Sequence, residues 1–335
     1  MYKSRKSNSM KYIWILSILF GCQTPAPKEY PSVGKIEILS PEMEKLIDPE
    51  SPIQVLGTGL TWAEGPVWVK DGNYLLFSDP RLNTIFKWDE ENGMQEFLKP
   101  SGYEDTTWYS DEPGTNGLII NQDGKLVACD HGNRRLTLID LKTKKKESLV
   151  DNWENKKFNS PNDLCQHANG DYYFTDPPYG LPERESDTTT REIKENGVYR
   201  LTKAGKVEQL ITDLGRPNGI ALANDGNTLY VALSDGGNPY IMSYGIQADG
   251  SLTEGKIFID YKKLFPNEGL ATDGFKFDKS GNLFAAAGDG IVVFDPSGKP
   301  IGRIRSGITS ANCAFGDDGH LYMTAKDKLL RVRMK

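Results

Sequence analysis

Residues 161–176, PNDLCQHANGDYYFTD, run from a polar start through a short apolar segment and an N-G turn into a second apolar segment that ends in polar residues. Two antiparallel strands joined by a tight turn have this signature. The phrase recurs as AEGPVWVKDGNYLLFSD (63–79), TNGLIINQDGKLVACD (115–130), PNGIALANDGNTLYVA (217–232), TDGFKFDKSGNLFAAA (272–287) and SANCAFGDDGHLYMTA (310–325). Six copies at a period of roughly 40 to 55 residues predict an all-β, six-bladed propeller, because a sandwich would not repeat in register. Segments such as VEQLITDLG (207–215) and KIFIDYKK (256–263) read as outer strands. IQVLG (53–57) resembles them but precedes the first copy. It is expected to complete the last blade and so close the ring, leaving no free sheet edge.

The composition agrees. Glycine, proline, aromatic and β-branched residues favour short strands and turns over helices. A net charge of −6 argues against nucleic acid, which needs a basic face to neutralise phosphates. Cys129, Cys165 and Cys313 are too widely and irregularly spaced for a disulfide framework or a zinc site and read as buried free thiols.

The repeat also marks a site. Eight residues before the turn glycines Gly72, Gly124, Gly170, Gly226 and Gly281 stand Glu64, Asn116, Asn162, Asn218 and Asp273, whereas the same count from Gly319 reaches Ala311. If the first strand of each blade lines the central channel, these residues converge at one mouth. The second strands return to that face with Asp79, Asp130-His131 and Asp176, beside Pro177-Pro178-Tyr179-Gly180 and the long loops 99–115 and 177–196. Two carboxylates and up to three amide carbonyls form a hard-oxygen set suited to Ca²⁺ or Mg²⁺, and a rigid cavity favours calcium. Zn²⁺ is a further candidate. The competing reading is that each Asn or Asp satisfies turn backbone through Asx-type hydrogen bonds. Asn312, one residue beyond Ala311, is an alternative contributor from the sixth copy.

The first residues are of another kind. Lys3, Arg5, Lys6 and Lys11 precede the apolar run YIWILSILF (12–20), too short to span a bilayer in place. Residues 1–21 therefore read as a signal peptide. Leu19-Phe20-Gly21-Cys22 resembles a bacterial lipobox, which implies lipidation of Cys22. Gln23 in place of aspartate points to the periplasmic side of the outer membrane. The Pro-rich segment that follows suggests an anchor and tether over 22–52 and a propeller domain over 53–335. Contact with the membrane is expected only through the lipid.

AEGPVW, TNGL, CDHGNRR, SPNDL, FTDPPYGL, GVYRL, RPNGIA and TDGF together resemble the SMP-30/gluconolactonase family of six-bladed propellers, and FTDPPYGL beside CDHGNRR resembles its bacterial gluconolactonase branch. The resemblance runs from about Leu60 to the C-terminus. It implies metal ligands at Glu64, Asn162, Asn218 and Asp273, with Asn116 and His131 facing substrate. CDHG departs from the family's more usual CEHG at Asp130. The implied activity is Ca²⁺-dependent opening of a sugar lactone to an aldonic acid, with Asp273, or alternatively His131, taking a proton from the attacking water. Asp176 and Tyr179 are expected at the substrate. A related esterase or phosphotriesterase and a non-enzymatic binding propeller are the alternatives.

Overall fold

The structure is a computed structural model that describes Met1, residues 28–269 and residues 271–335. The expected signal peptide and Cys22 lie outside the described residues. Six antiparallel sheets are arranged around a channel. Their innermost strands are Glu64–Val69, Thr115–Ile120, Leu164–Gln166, Pro217–Leu222, Thr272–Phe277 and Asn312–Phe315. Each of these packs on the next, and the sixth packs on the first, so the ring is closed. Two links are backbone hydrogen bonds, from Gly117 N to Asn162 O and from Gly274 N to Ala311 O, both 2.8 Å.

Side chains fill the gaps between blades. Trp68 stacks on Tyr322 at 5.4 Å, joining the first blade to the sixth. Phe158, Phe174 and Tyr199 form one apolar cluster with Val127, Cys129 and Leu136 of the second blade. Cys129 and Cys313 are buried free thiols as expected, whereas Cys165 is only partly covered.

Ile53–Thr58 pairs antiparallel with the C-terminal strand Lys328–Arg333, so the N-terminal strand completes the sixth blade as the sequence led us to expect. The expected tether over 22–52 requires correction. From Lys28 onward the chain belongs to the fold. Ser32–Val33 adds an edge to the sixth blade, and Lys35–Ile38 adds a fifth strand to the fifth blade. A short helix, Pro41–Leu46, then buries Met43 completely, as Ile47 is just beyond it. These elements are too short to show periodicity, and their prolines read as linker; docking against preformed edges is what orders them.

Candidate active site

The inner strands run from one face, the mouth, to the other, and the second strands return. Glu64 accordingly lies opposite Ser78, and Thr115 opposite Asp130. The five polar ring positions therefore open five inner strands at one face, with Glu64, Asn116, Asn162 and Asn218 all buried. Ala311 takes the sixth position and donates its N–H to Thr324 O, as Asn162 does to Thr175 O, both at 2.9 Å.

The residue after each ring position must fit against the neighbouring strand. A Cβ on Gly65 would stand 2.0 Å from Asn116 O, and one on Gly219 would stand 2.5 Å from Asp273 O. Glycine is the residue that tolerates this approach. Only the third and sixth blades place a side chain in the slot, Asp163 and Asn312. Asn312 therefore does not replace Ala311 in the ring: its Oδ1 accepts from Cys313 N at 2.9 Å, one step further down the channel.

Glu64 accepts hydrogen bonds from Trp62 Nε1 (3.2 Å) and Gly65 N (3.1 Å). Burial, followed by the charge of Asp273, holds its carboxyl well above the usual range. Asp273 is pushed up to about 8, chiefly by burial and then by the charge of Asp163. Asn218 is fixed by Ser234, whose hydroxyl donates to Thr272 O at 2.6 Å. With that proton committed, the 2.8 Å contact between Ser234 and Asn218 is donated by the amide Nδ2, which leaves Asn218 Oδ1 as the free acceptor. Among the described residues no group of three or more His, Cys, Asp and Glu side chains is arranged as a metal site. The ring contains two carboxylates, and its other oxygens are amides. A buried Glu64 whose proton affinity the charge of Asp273 raises, and an Asp273 raised in turn by Asp163, flanked by amide oxygens, fit a hard divalent cation.

The expected substrate-facing residues separate into two groups. His131 has no exposed surface, its ring nitrogens have no hydrogen-bond partner among the described residues, and burial lowers its pKa to about 3. Tyr179 is half-buried near Asp273 and Ser234, and burial pushes its phenol up. Asn116 is buried, with no side-chain hydrogen bond among the described residues.

Asp176 is committed on one oxygen: it is wholly buried, its Oδ2 accepts from Asn159 N at 2.8 Å, its Oδ1 has no hydrogen-bond partner among the described residues, and burial raises its carboxyl to about 7. Asp79 does the equivalent for the first blade, accepting from Thr61 N (2.6 Å) and Trp62 N (3.3 Å). Both carboxylates hold the segment leading into a ring residue, Asn162 and Glu64 respectively. Asp130 is bound to Asn133, Arg135 and Thr137.

Sequence reasoning missed two features. Asp163 projects beneath the ring, and its signal was an acid in a slot that four other copies fill with glycine. Glu112, from the 99–115 loop, accepts from Arg81 (3.3 Å) and Arg184 (3.1 Å) on Oε1, with Oε2 3.8 Å from His131 Nδ1. Glu112 itself lies in the long 99–115 loop, outside the repeat, so periodicity gave no sign of it. Arg81 also covers the Trp62 ring at 5.5 Å.

The fold and the site define a six-bladed propeller with a carboxylate and amide ring at one mouth of its channel. The profile described as the SMP-30/Gluconolactonase/LRE-like region matches residues 62–327, and the chain belongs to that family. It is 41% identical over 311 residues to a gluconolactonase of Zymomonas mobilis, covering 91% of this chain and 87% of the relative. A lactonohydrolase of Aspergillus oryzae is 27% identical over 304 residues, covering 81% and 67%. The solved structure of a gluconolactonase from Xanthomonas campestris superposes with a TM-score of 0.79 at 27% identity, covering 94% of this chain and all of that one.

Proposed function

We propose that the chain is a lactonase, a carboxylic ester hydrolase, that opens a sugar lactone of the gluconolactone type to its aldonic acid with a divalent cation, calcium first, held by Glu64, Asn162, Asn218 and Asp273. The observation that carries this reading is the buried Glu64, its proton affinity raised by Asp273, with the free Asn218 Oδ1 at the same mouth. Kinship with gluconolactonases supports the substrate class. Bound there, the cation would act as a Lewis acid on the lactone carbonyl.

The chain's own groups supply the rest. Asp273 is the group placed to take a proton from the attacking water; as a ligand of the cation it would be held ionised there, a carboxylate ready to accept that proton. His131 is a poor base with a pKa of about 3; it stays neutral and offers one donor and one acceptor to substrate hydroxyls. Tyr179 keeps its proton near Asp273 and has it free to offer to a substrate oxygen. Asn116 presents a free amide, and the Trp62 ring under Arg81 is an apolar surface beside Glu64.

The test is hydrolysis of glucono-1,5-lactone, an aryl ester and an aryl phosphotriester by purified protein after EDTA, with and without added Ca²⁺, Mg²⁺ or Zn²⁺. Cation-dependent acid release from the lactone is the expected result. Turnover of only the phosphotriester, or of no substrate at all, rejects the reading.

Export and lipidation at Cys22, with residence in the cell envelope on the periplasmic side of the outer membrane, belong to the same proposal. They rest on the basic start, the apolar run and the LFGC tetrapeptide. Cys22→Ser should move the protein from the membrane fraction to the soluble one, and unchanged fractionation would count against the anchor.

A further inference from the structure

Asp163 and Asn312 fill the slot beneath the ring in the third and sixth blades, which face each other across a six-membered ring. Each folds back in the same way, its Oδ1 accepting the next residue's N–H at 2.9 Å. Between them stands Lys276 of the fifth blade. Its Nζ donates to Asn312 Oδ1 at 3.4 Å and Phe275 O at 3.1 Å, and lies 3.8 Å from Asp163 Oδ2. Asp163 Oδ2 has no hydrogen-bond partner among the described residues, and Asp163 is 3% exposed. Lys276 also lines a cavity of about 330 Å³, with Cys165, Leu164 and Ile220, at the channel's far end. A polar crossbar thus spans the channel beneath the ring, with an anion on one side, an amide on the other and an ammonium between.

We infer that this crossbar sets the ring's affinity for its cation, Asp163 strengthening it as a third carboxylate and Lys276 weakening it as a built-in competing charge. The inference rests on the cation reading above. Physically, Glu64, Asp163 and Asp273 put three carboxylates in one enclosed channel, and the charge of Asp163 is felt at both of the others. One ammonium does not neutralise three carboxylates, and a divalent ion supplies the balance. In an enclosed, low-dielectric setting a charge several ångströms away acts strongly on a divalent ion, so removing either partner should change cation affinity by about tenfold or more.

The two partners act in opposite directions, and that separates a charge effect from damage. Calcium binding is measured by titration calorimetry on the metal-stripped full-length protein, with cation-free thermal melting as a check on folding. Asp163→Asn should raise the Kd about tenfold and Lys276→Met should lower it about tenfold, both persisting in high salt, which screens exposed charges but not enclosed ones. Asn312→Asp adds a carboxylate across the channel and should also lower the Kd; it decides the matter if Asp163→Asn fails to fold. Variants that bind like wild type, or that all bind more weakly, overturn the crossbar's role and leave the ring standing. A wild-type protein that binds no divalent ion overturns both.

Discussion

His131 Nδ1 stands 3.8 Å from Glu112 Oε2, while the other oxygen of that carboxylate is held by Arg81 and Arg184. The contact joins a residue at the end of a blade strand to a loop that no repeat specifies. Burial lowers the imidazole from 6.5 to about 3, so the unfolded chain takes up a proton before the folded one does. The stability His131 contributes is therefore complete above the unfolded value of 6.5 and is lost as pH falls toward about 3. His131→Asn should flatten the acid side of a urea-midpoint profile and should raise KM more than it lowers kcat. An imidazole signal titrating near its ordinary value in the folded protein would refute this.

Glu64 and Asp273 give the opposite sign. Both carboxyls are raised, so without a cation the folded state binds more protons than the unfolded one. Their favourable contribution is present below the ordinary carboxylate range and is lost as pH rises through about 8 for Asp273. Stripped protein should melt lower as pH rises through that window, and added calcium should restore more stability at the alkaline end than at the acid end. Thermal melts across pH, with EDTA and with calcium, check both statements.

Asp273→Asn should separate folding from catalysis. It removes one of three repelling charges, so the stripped variant should melt above wild type at alkaline pH, while lactone turnover falls by about a thousandfold or more, the scale for losing a group that acts on the reacting atoms. Near wild-type turnover would remove Asp273 from the reaction.

Ser234→Ala tests the support behind Asn218. Without the hydroxyl the amide loses its 2.8 Å partner, and its oxygen is no longer fixed toward the ring. Loss of such a supporting contact typically costs about 10–100-fold in metal affinity or activity, and a calcium titration should find that loss. Ser234→Thr should recover part of it.

Much of this was legible from the sequence. Eight-residue spacing located Glu64, Asn162, Asn218 and Asp273 because a propeller samples one position per blade, and the turn glycines make the count unambiguous. IQVLG was legible as a closing strand because its pattern matched outer strands elsewhere. The bond from Asn159 N to Asp176 was not legible, because proximity in topology does not reveal which backbone a carboxylate oxygen meets. Glu112 with Arg81 and Arg184 was invisible because loops carry no register. The segment from Lys28 to Pro52 reads as a tether in sequence because its order comes from docking on other strands.

That segment can be tested directly. Met43 has no exposed surface and packs in the cluster shared by the fifth and sixth blades. Met43→Ala should cost about 2–5 kcal/mol of unfolding free energy, the range for emptying a large core site, with kcat/KM unchanged. Chemical denaturation beside a lactone assay reads both quantities, and an unaffected midpoint would return the segment to the status of a linker.

Lys28 donates to Glu90 O at 2.6 Å and Glu91 O at 2.9 Å, and Tyr30 to Glu90 Oε1 at 3.1 Å, in a turn at the end of the first blade away from the mouth. From there the chain crosses to the sixth blade, the fifth, and back to the sixth before Glu64 begins the ring. In mechanical terms this lacing is a handle. A pull on the chain ahead of Lys28 is spread over the rims of three blades before it reaches the strand that fastens the circle. The ring residues stand on or beside the innermost strands, so load entering at Lys28 meets the outer edges of three blades before any strand that lines the channel.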